Sequence, residues 1–354
     1  MKKIVLMMIG AASVMTALYA QESVNPYIAR VFEYRPAPGQ FINTLPAWED
    51  GDTEETMAQK ADTCLAANKQ VMISLGGYGG YVVFGFDHEV LNIEGQYDMK
   101  ILGNGFYAAG QKEGEPLGGS SEPGIVMVSR DDNGNGLPDD EWYELAGSEE
   151  INEQTRFNYS ITYYRPGADS TAATYIRWED SEGVTGYIPK NAFHKQAYYP
   201  EWIAEDQMTF TGTRLRDNGI DTSGKGTYYV LYCFDWGYVD NHPNEVKNHP
   251  ERHVSEFDLS WAVDANRQPV KLLGIHFVKV YNAMNQVCGW LGETSTEVMG
   301  AYDLHPEAKV PTSLEENRYP LDRTLRKEIR NGRMTIIRNG VRYTLTGQRE
   351  SLCR

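Results

Sequence analysis

Gly79-Gly80-Tyr81-Val82-Val83-Phe84-Gly85-Phe86-Asp87-His88 is a run of aromatic and β-branched residues set behind a glycine pair. Such side chains fit a pleated, half-buried surface, so the run predicts a core strand over Gly80–Phe86. Upstream, Gly76-Gly77-Tyr78-Gly79-Gly80 predicts a tight turn into that strand. It is no phosphate loop, because it lacks the GK[ST] ending and a following helix. Further strands are expected at Val71–Ser74, Tyr97–Leu102, Gly124–Ser129, Glu141–Leu145, Asn158–Tyr164, Thr227–Phe234, Glu256–Val263 and Gly274–Tyr281. With 23 Tyr and 34 Gly in the chain, these runs make a mainly β protein. One N-terminal helix is expected over Thr53–Asn68, with Asp52 as its cap and Met57, Ala61, Cys64 and Leu65 on one face. Gln111–Ser121, rich in Gly, Glu and Ser, reads as an exposed loop.

The second informative stretch is Arg130-Asp131-Asp132-Asn133-Gly134-Asn135-Gly136-Leu137-Pro138-Asp139-Asp140-Glu141. Ca²⁺ takes about six to eight oxygen ligands, and alternate residues of a tight loop aim inward while a glycine takes the sharp turn. The ligands expected are Asp131, Asn133, Asn135, Leu137 through its backbone carbonyl, Asp139 and Asp140. The loop follows D-x-[DN]-x-[DN]-G as far as Gly136 and then leaves the EF-hand form, with Trp142 at the place of the closing Glu. An Asx-rich turn that binds nothing has a similar composition. Calcium in a structural role is the expectation.

Met1-Lys2-Lys3, an apolar run from Ile4 to Val14 and Thr16-Ala17-Leu18-Tyr19-Ala20 predict a secretory signal over residues 1–20. The net charge of −16 becomes −18 when the two lysines of that segment leave. Such a charge argues against nucleic acid and anionic membranes as partners. Cys64, Cys233, Cys288 and Cys353 are too scattered for a disulfide framework, although an exported location allows one bridge, Cys233 with Cys288. The mature domain is expected over residues 21–305, with a Pro-containing linker over 306–325 and a tail over 326–354. In the tail, Met334–Arg338, Asn339-Gly340 and Val341–Leu345 spell a β-hairpin joined by a type I′ dipeptide. An isolated hairpin is marginal in water, so it packs on the domain or meets a partner.

The block from Gly79 to His88, then Leu102-Gly103-Asn104-Gly105-Phe106 and Ser121-Glu122-Pro123-Gly124-Ile125-Val126-Met127-Val128-Ser129, resembles bacterial cell-surface proteins with a galactose-binding-type jelly roll. Asp235-Trp236-Gly237-Tyr238-Val239-Asp240-Asn241, Phe257 to Asp264 and Gly274 to Tyr281 continue the likeness. The stretch from Ile336 to Gln348 looks like the C-terminal hairpin of Bacteroidetes exported proteins, some of which use such tails for sorting. The resemblance implies a jelly-roll β-sandwich with long loop insertions. Relatives are commonly labelled as cell-surface or PKD-containing proteins, and some belong with corrinoid (vitamin B12) uptake. The calcium loop similarly resembles thrombospondin-type extracellular loops.

Three further groups are candidate sites. Tyr187, His194, Tyr198, Tyr199 and Trp202 form an aromatic segment suited to a sugar ring or macrocycle, or else to the sandwich core. Asp235, Asp240 and Asn241, with Asn244 and Glu245, offer a second oxygen-rich cation site or an Asx-turn loop. His242, His249 and His253 are close enough in sequence for zinc or the cobalt of a corrinoid, although Pro243 and Pro250 argue against a shared helix face. No G-x-S-x-G or HExxH occurs, so no catalytic residue is assigned. The expected function is an exported envelope binding protein, calcium-stabilised, that captures a small ligand or glycan, with a corrinoid among the candidates, for an outer-membrane uptake complex. The alternatives are a glycan-processing hydrolase and a structural surface protein.

Overall fold

The computed structural model describes residues 24–109, 115–167, 175–245 and 255–309, together with three later strands, Arg326–Arg330, Arg333–Arg338 and Val341–Tyr343. The signal segment over 1–20, most of the linker and Cys353 lie outside the described residues. The chain divides after Glu307 into two units.

The first unit is mainly β, with one α-helix, as expected. Its largest sheet is antiparallel, in the order Arg30–Arg35, Tyr81–Leu91, Gly274–Asn282, Gly124–Ser129, Trp142–Leu145, Ala262–Val263. The opening sequence supplies a central strand of this sheet. Val82, Phe84 and Val90 are fully buried, and Tyr81 stands opposite both Arg35 and Tyr281.

A four-stranded sheet runs Thr185–Ile188, Ile176–Asp180, Arg156–Tyr164, Gln207–Arg214. On Arg156–Tyr164, Tyr159, Ile161 and Tyr163 alternate inward, the period-two pattern of a sheet with one buried face. Those rings meet the glycine turn before Tyr81: Tyr78 and Tyr159 are edge-on at 5.0 Å, and Tyr163 Oη donates to the Tyr78 carbonyl. Two glycines of the cluster, Gly77 and Gly79, make room for this contact, and a Cβ on Gly77 would lie 2.9 Å from Tyr163 Oη. Gly79 has φ +84°, and a Cβ there would lie 2.2 Å from Phe210 Cβ. Only glycine serves in that conformation at that distance.

The helix spans Glu54–Leu65 and buries Met57, Ala61 and Leu65. Its cap is Thr53, not Asp52: Thr53 and Thr56 exchange side-chain-to-backbone bonds in a capping box. Asp52 instead pairs with Lys60 at 2.6 Å and accepts the Glu49 N–H. Asp62 fastens the helix to the sheet edge by accepting the Val31 N–H at 2.7 Å.

Several expectations are corrected. The stretch Gln111–Ser121 ends in a strand, Gly118–Ser120, paired with Tyr229–Tyr232 and Phe106–Tyr107; residues 111–114 lie outside the described residues. Glu256–Val263 is two short strands around a 3-10 turn at Leu259–Trp261. Cys288 is a buried free thiol, so it forms no bridge with Cys233. Its sulfur faces Gly219, where an added Cβ would lie 2.3 Å away.

In the second unit, Arg333–Arg338 pairs with Val341–Tyr343 as the hairpin signal requires, Arg338 standing opposite Val341. A third strand, Arg326–Arg330, extends it. The dipeptide at 339–340 lies outside the described residues.

Candidate functional site

The loop from Asp131 to Asp140 joins the strands Gly124–Ser129 and Trp142–Leu145 and is mostly exposed. Asp131 organises it, its two carboxylate oxygens accepting the N–H groups of Asn135 at 3.0 Å and Gly136 at 2.9 Å. Gly134 and Gly136 have φ of +70° and +72°, which glycine alone adopts cheaply. Asp139 accepts from the side-chain amides of Asn133 and Asn135, and these bonds hold its carboxyl below the usual range. Asp140 accepts from Asn133 and from the Asp132 N–H. Leu137 donates its N–H to Asn135 Oδ1 at 2.7 Å. The expected ligands therefore share one tightly wound loop.

The aromatic segment is divided. Tyr198, Tyr199 and Trp202 are buried in the main core. Trp202 stacks on Tyr34 at 6.0 Å, Tyr199 donates to the Glu205 carbonyl and lies under Arg165, and Tyr198 Oη bridges Asn191 and His194. His194 is half-buried, edge-on to Phe41 at 4.6 Å. Tyr198, Tyr199 and Trp202 are packed in the core and offer no free face for a ligand, which corrects that part of the expected platform. Tyr187 differs: it is 59% exposed.

Tyr187 lines a cleft of about 200 Å³ together with Trp178, Ile188, Asn285, Gln286 and Glu293. Trp178 and Tyr187 come from neighbouring strands, and the indole lies over Gly186, where a Cβ would meet it at 2.3 Å. Polar groups close the other side. Gln286 Oε1 accepts the Asn218 N–H, and its amide donates to Thr294 Oγ1 at 2.9 Å. Asn285 donates to Tyr159 Oη. Glu293 is buried; its Oε1 accepts the Gln40 N–H, while Oε2 is buried with no partner. Burial pushes its carboxyl up to about 8, so it is protonated at neutral pH and has a hydrogen to donate.

The second expected cation site does not assemble. Asp235 is exposed. Asn241 is spent as a clamp, Oδ1 accepting from Ser121 and Phe234 and Nδ2 donating to the Phe234 carbonyl. Asn244 clamps Gly103 the same way, through its N–H and carbonyl, and Glu245 is exposed. His242 is buried with Nδ1 on Tyr107 Oη and Nε2 on the Phe234 carbonyl, so both ring nitrogens are engaged and neither faces a metal. His249 and His253 lie outside the described residues.

Asp240 instead meets two residues that sequence reasoning passed over. Oxygens of Glu122, Asp240 and Glu297 all lie within 4.8 Å of one another. Asp240 and Glu297 are buried and Glu122 reaches in from a half-buried position. Burial pushes all three carboxyls up, Glu297 to about 7, and at Glu122 and Asp240 the neighbouring negative charges add to it. The short segment Glu293–Glu297 thus serves both the cleft and this cluster.

No protein-family model and no curated protein matches this chain. No described helix is long and apolar enough to cross a membrane.

Proposed function

We propose that the protein is an exported cell-envelope binding protein on a jelly-roll-type β-sandwich, and that it captures a small polar ligand of sugar-ring size in the Trp178–Tyr187 cleft. The carrying observation is the placing of the Trp178 ring with Asn285, Gln286 and protonated Glu293 around one opening; Tyr187 stands opposite Arg177, so its ring is on the other face of the sheet and only its backbone edges the cleft. Flat rings supply contact area to C–H faces, and a few fixed polar groups orient hydroxyls, which is the usual division of labour in small-molecule sites. A cleft of about 200 Å³ is below the usual range of about 300–1,000 Å³. It therefore suits a mono- or disaccharide unit better than a corrinoid macrocycle. Calcium at Asp131–Asp140 is the stabilising partner in this reading, since the loop already directs three carboxylates and two Asn side chains at one another.

Tryptophan fluorescence against a panel of neutral sugars, acidic sugars and cobalamin tests the proposal. Saturable quenching by a sugar, lost in Trp178→Ala, is the expected outcome. Quenching by cobalamin alone, or sugar binding that survives Trp178→Ala, would overturn it.

One observation favours a second reading, a glycan hydrolase. A carboxyl raised to about 8 is protonated as a general acid must be, and Asp217 lines the same cleft. Release of nitrophenol from aryl glycosides by the wild type and none by Glu293→Gln would move the reading to that class.

A further inference from the structure

We infer that Glu122, Asp240 and Glu297 form a buried binding site for a divalent cation of the calcium type. The three residues come from separate parts of the chain: Glu122 just before the strand Gly124–Ser129, Asp240 in the turn after Val239, and Glu297 at the start of the strand Glu297–Val298. The backbone brings them together deliberately. Asp240 has φ +57°, a left-handed conformation for a non-glycine residue, and strain of that kind persists only where surroundings hold it. Here they do. Asp240 Oδ1 accepts the N–H groups of Asn104 and Gly105 at 2.6 and 2.7 Å, and Oδ2 accepts the Glu297 N–H at 2.9 Å. The Glu122 N–H donates to the Asp240 carbonyl. Glu122 Oε1 in turn accepts the Ser295 N–H at 3.1 Å. Gly103 leaves the space that Asp240 fills, since a Cβ there would lie 2.5 Å from Asp240 Oδ1.

The hydrogen bonds orient the carboxylates but leave one atom unaccounted for. Glu297 is 1% exposed, Ser295 Oγ donates to its Oε1 at 2.7 Å, and its Oε2 is buried with no hydrogen-bond partner. A buried carboxylate oxygen with nothing to accept from is costly. No Lys or Arg among the described residues makes an ion pair with any of the three. Three acidic groups therefore converge in a dry interior with an open acceptor and no basic side chain to neutralise them. Oxygens within 4.8 Å of one another can all touch one ion that takes oxygen ligands at about 2.3–2.6 Å, the range of Ca²⁺. An all-oxygen set also disfavours the softer metals that prefer thiolate or imidazole. The site is separate from the exposed loop at Asp131–Asp140, and it stands whether or not the cleft binds a sugar.

The test uses the full chain carrying Asp131→Ala, which removes the exposed loop as a contributor. After stripping with EDTA and removal of the chelator, calorimetric titration with Ca²⁺ is expected to give one ion bound per chain, with a higher melting temperature. Glu297→Gln, close to isosteric, is expected to lower Ca²⁺ affinity at least tenfold. Glu122→Gln, at the half-buried edge of the cluster, is a second variant should the first fold poorly, and the same loss is expected. Stripped Asp131→Ala protein that takes up no Ca²⁺, or takes up Mg²⁺ in its place, would overturn the assignment. So would Ca²⁺ binding unchanged in Glu122→Gln or in folded Glu297→Gln. A stripped protein that is stabilised only by lowering pH would show that protons, not a cation, neutralise the three groups.

Discussion

The Arg267 guanidinium meets the Glu144 carboxylate at 2.9 Å, with 20% and 12% of the two side chains exposed. Glu144 projects from the six-stranded sheet and also accepts from Thr213 Oγ1 at 2.9 Å and Tyr281 Oη at 3.0 Å. Thr213 belongs to the four-stranded sheet, so one buried carboxylate links the two sheets. Burial holds that carboxyl above its usual range even with Arg267 beside it.

Arg267→Ala is therefore expected to destabilise the first unit by about 3–5 kcal/mol, the cost of leaving one member of a buried pair without its partner. Arg267 also pairs with Glu150, which adds to the loss. Urea unfolding measures it. The double variant Arg267→Met with Glu144→Met is expected to recover part of the loss, because the uncompensated charge leaves with its partner. A single variant within 1 kcal/mol of the wild type would refute the role, since about that much is all an exposed pair contributes.

Trp202 is a core residue, and its substitutions should say so. Trp202→Ala is expected to cost about 3–5 kcal/mol as a large-to-small core change. Trp202→Phe is expected to cost far less, because Trp202 Nε1 is buried with no partner and phenylalanine removes that unsatisfied donor. Trp178→Ala, in the cleft wall, should weaken ligand binding by about 1–3 kcal/mol while costing less stability than Trp202→Ala. Thermal melts and fluorescence titration on the same three variants separate the roles.

The contrast between buried Trp202 and exposed Tyr187 also marks how far the sequence was legible. Tyr81–Leu91, Gly124–Ser129 and Gly274–Asn282 were readable because a sheet centre demands a local run of β-branched and aromatic residues. Gln207–Arg214 carries the same alternation, with Met208 and Phe210 inward, and its signal was present but passed over. Gly219–Asp221 and Glu297–Val298 are too short to have a period. Aromatic clustering near residues 187–202 was visible, but composition does not say which face of a ring is covered. The carboxylates Glu122, Asp240 and Glu297 could not be grouped in advance, because their proximity is made by strand pairing between distant segments. Asp131–Asp140 was legible because all its groups sit in one loop.

That loop gives the third prediction. With Ca²⁺ bound to the folded form only, the melting temperature rises by linkage, and EDTA reverses the rise. Asp131→Ala removes both the ligand and the acceptor of the Asn135 and Gly136 N–H groups. The calcium-dependent shift in differential scanning calorimetry should shrink in this variant, and the shift that remains should shrink again when Glu297→Gln is added. A wild type with equal midpoints in calcium and in EDTA would count against both sites.

The last prediction concerns Glu293, whose carboxyl is raised to about 8, chiefly by burial. The unfolded chain releases that proton near pH 4.3, the approximate value for an ordinary Glu. Between those limits the folded state holds a proton that the unfolded state has lost, so stability must fall as pH rises through the window. The stabilisation is complete below the unfolded value and gone once pH passes about 8. Glu297, raised to about 7, adds a loss of the same sign in the metal-free protein. Ligand affinity is expected to follow the same proton, because ionising a buried carboxyl in the cleft wall disturbs that wall; affinity should be flat to pH 7 and decline above about 8. Glu293→Gln separates the two effects. Its Oε1 can still accept the Gln40 N–H, as Glu293 does, and its amide still donates, but nothing titrates. The variant should bind ligand with an affinity independent of pH across this range, and its stability should decline less steeply with pH than that of the wild type. Parallel pH profiles for the two proteins, in both binding and unfolding, would show that the proton on Glu293 serves neither purpose.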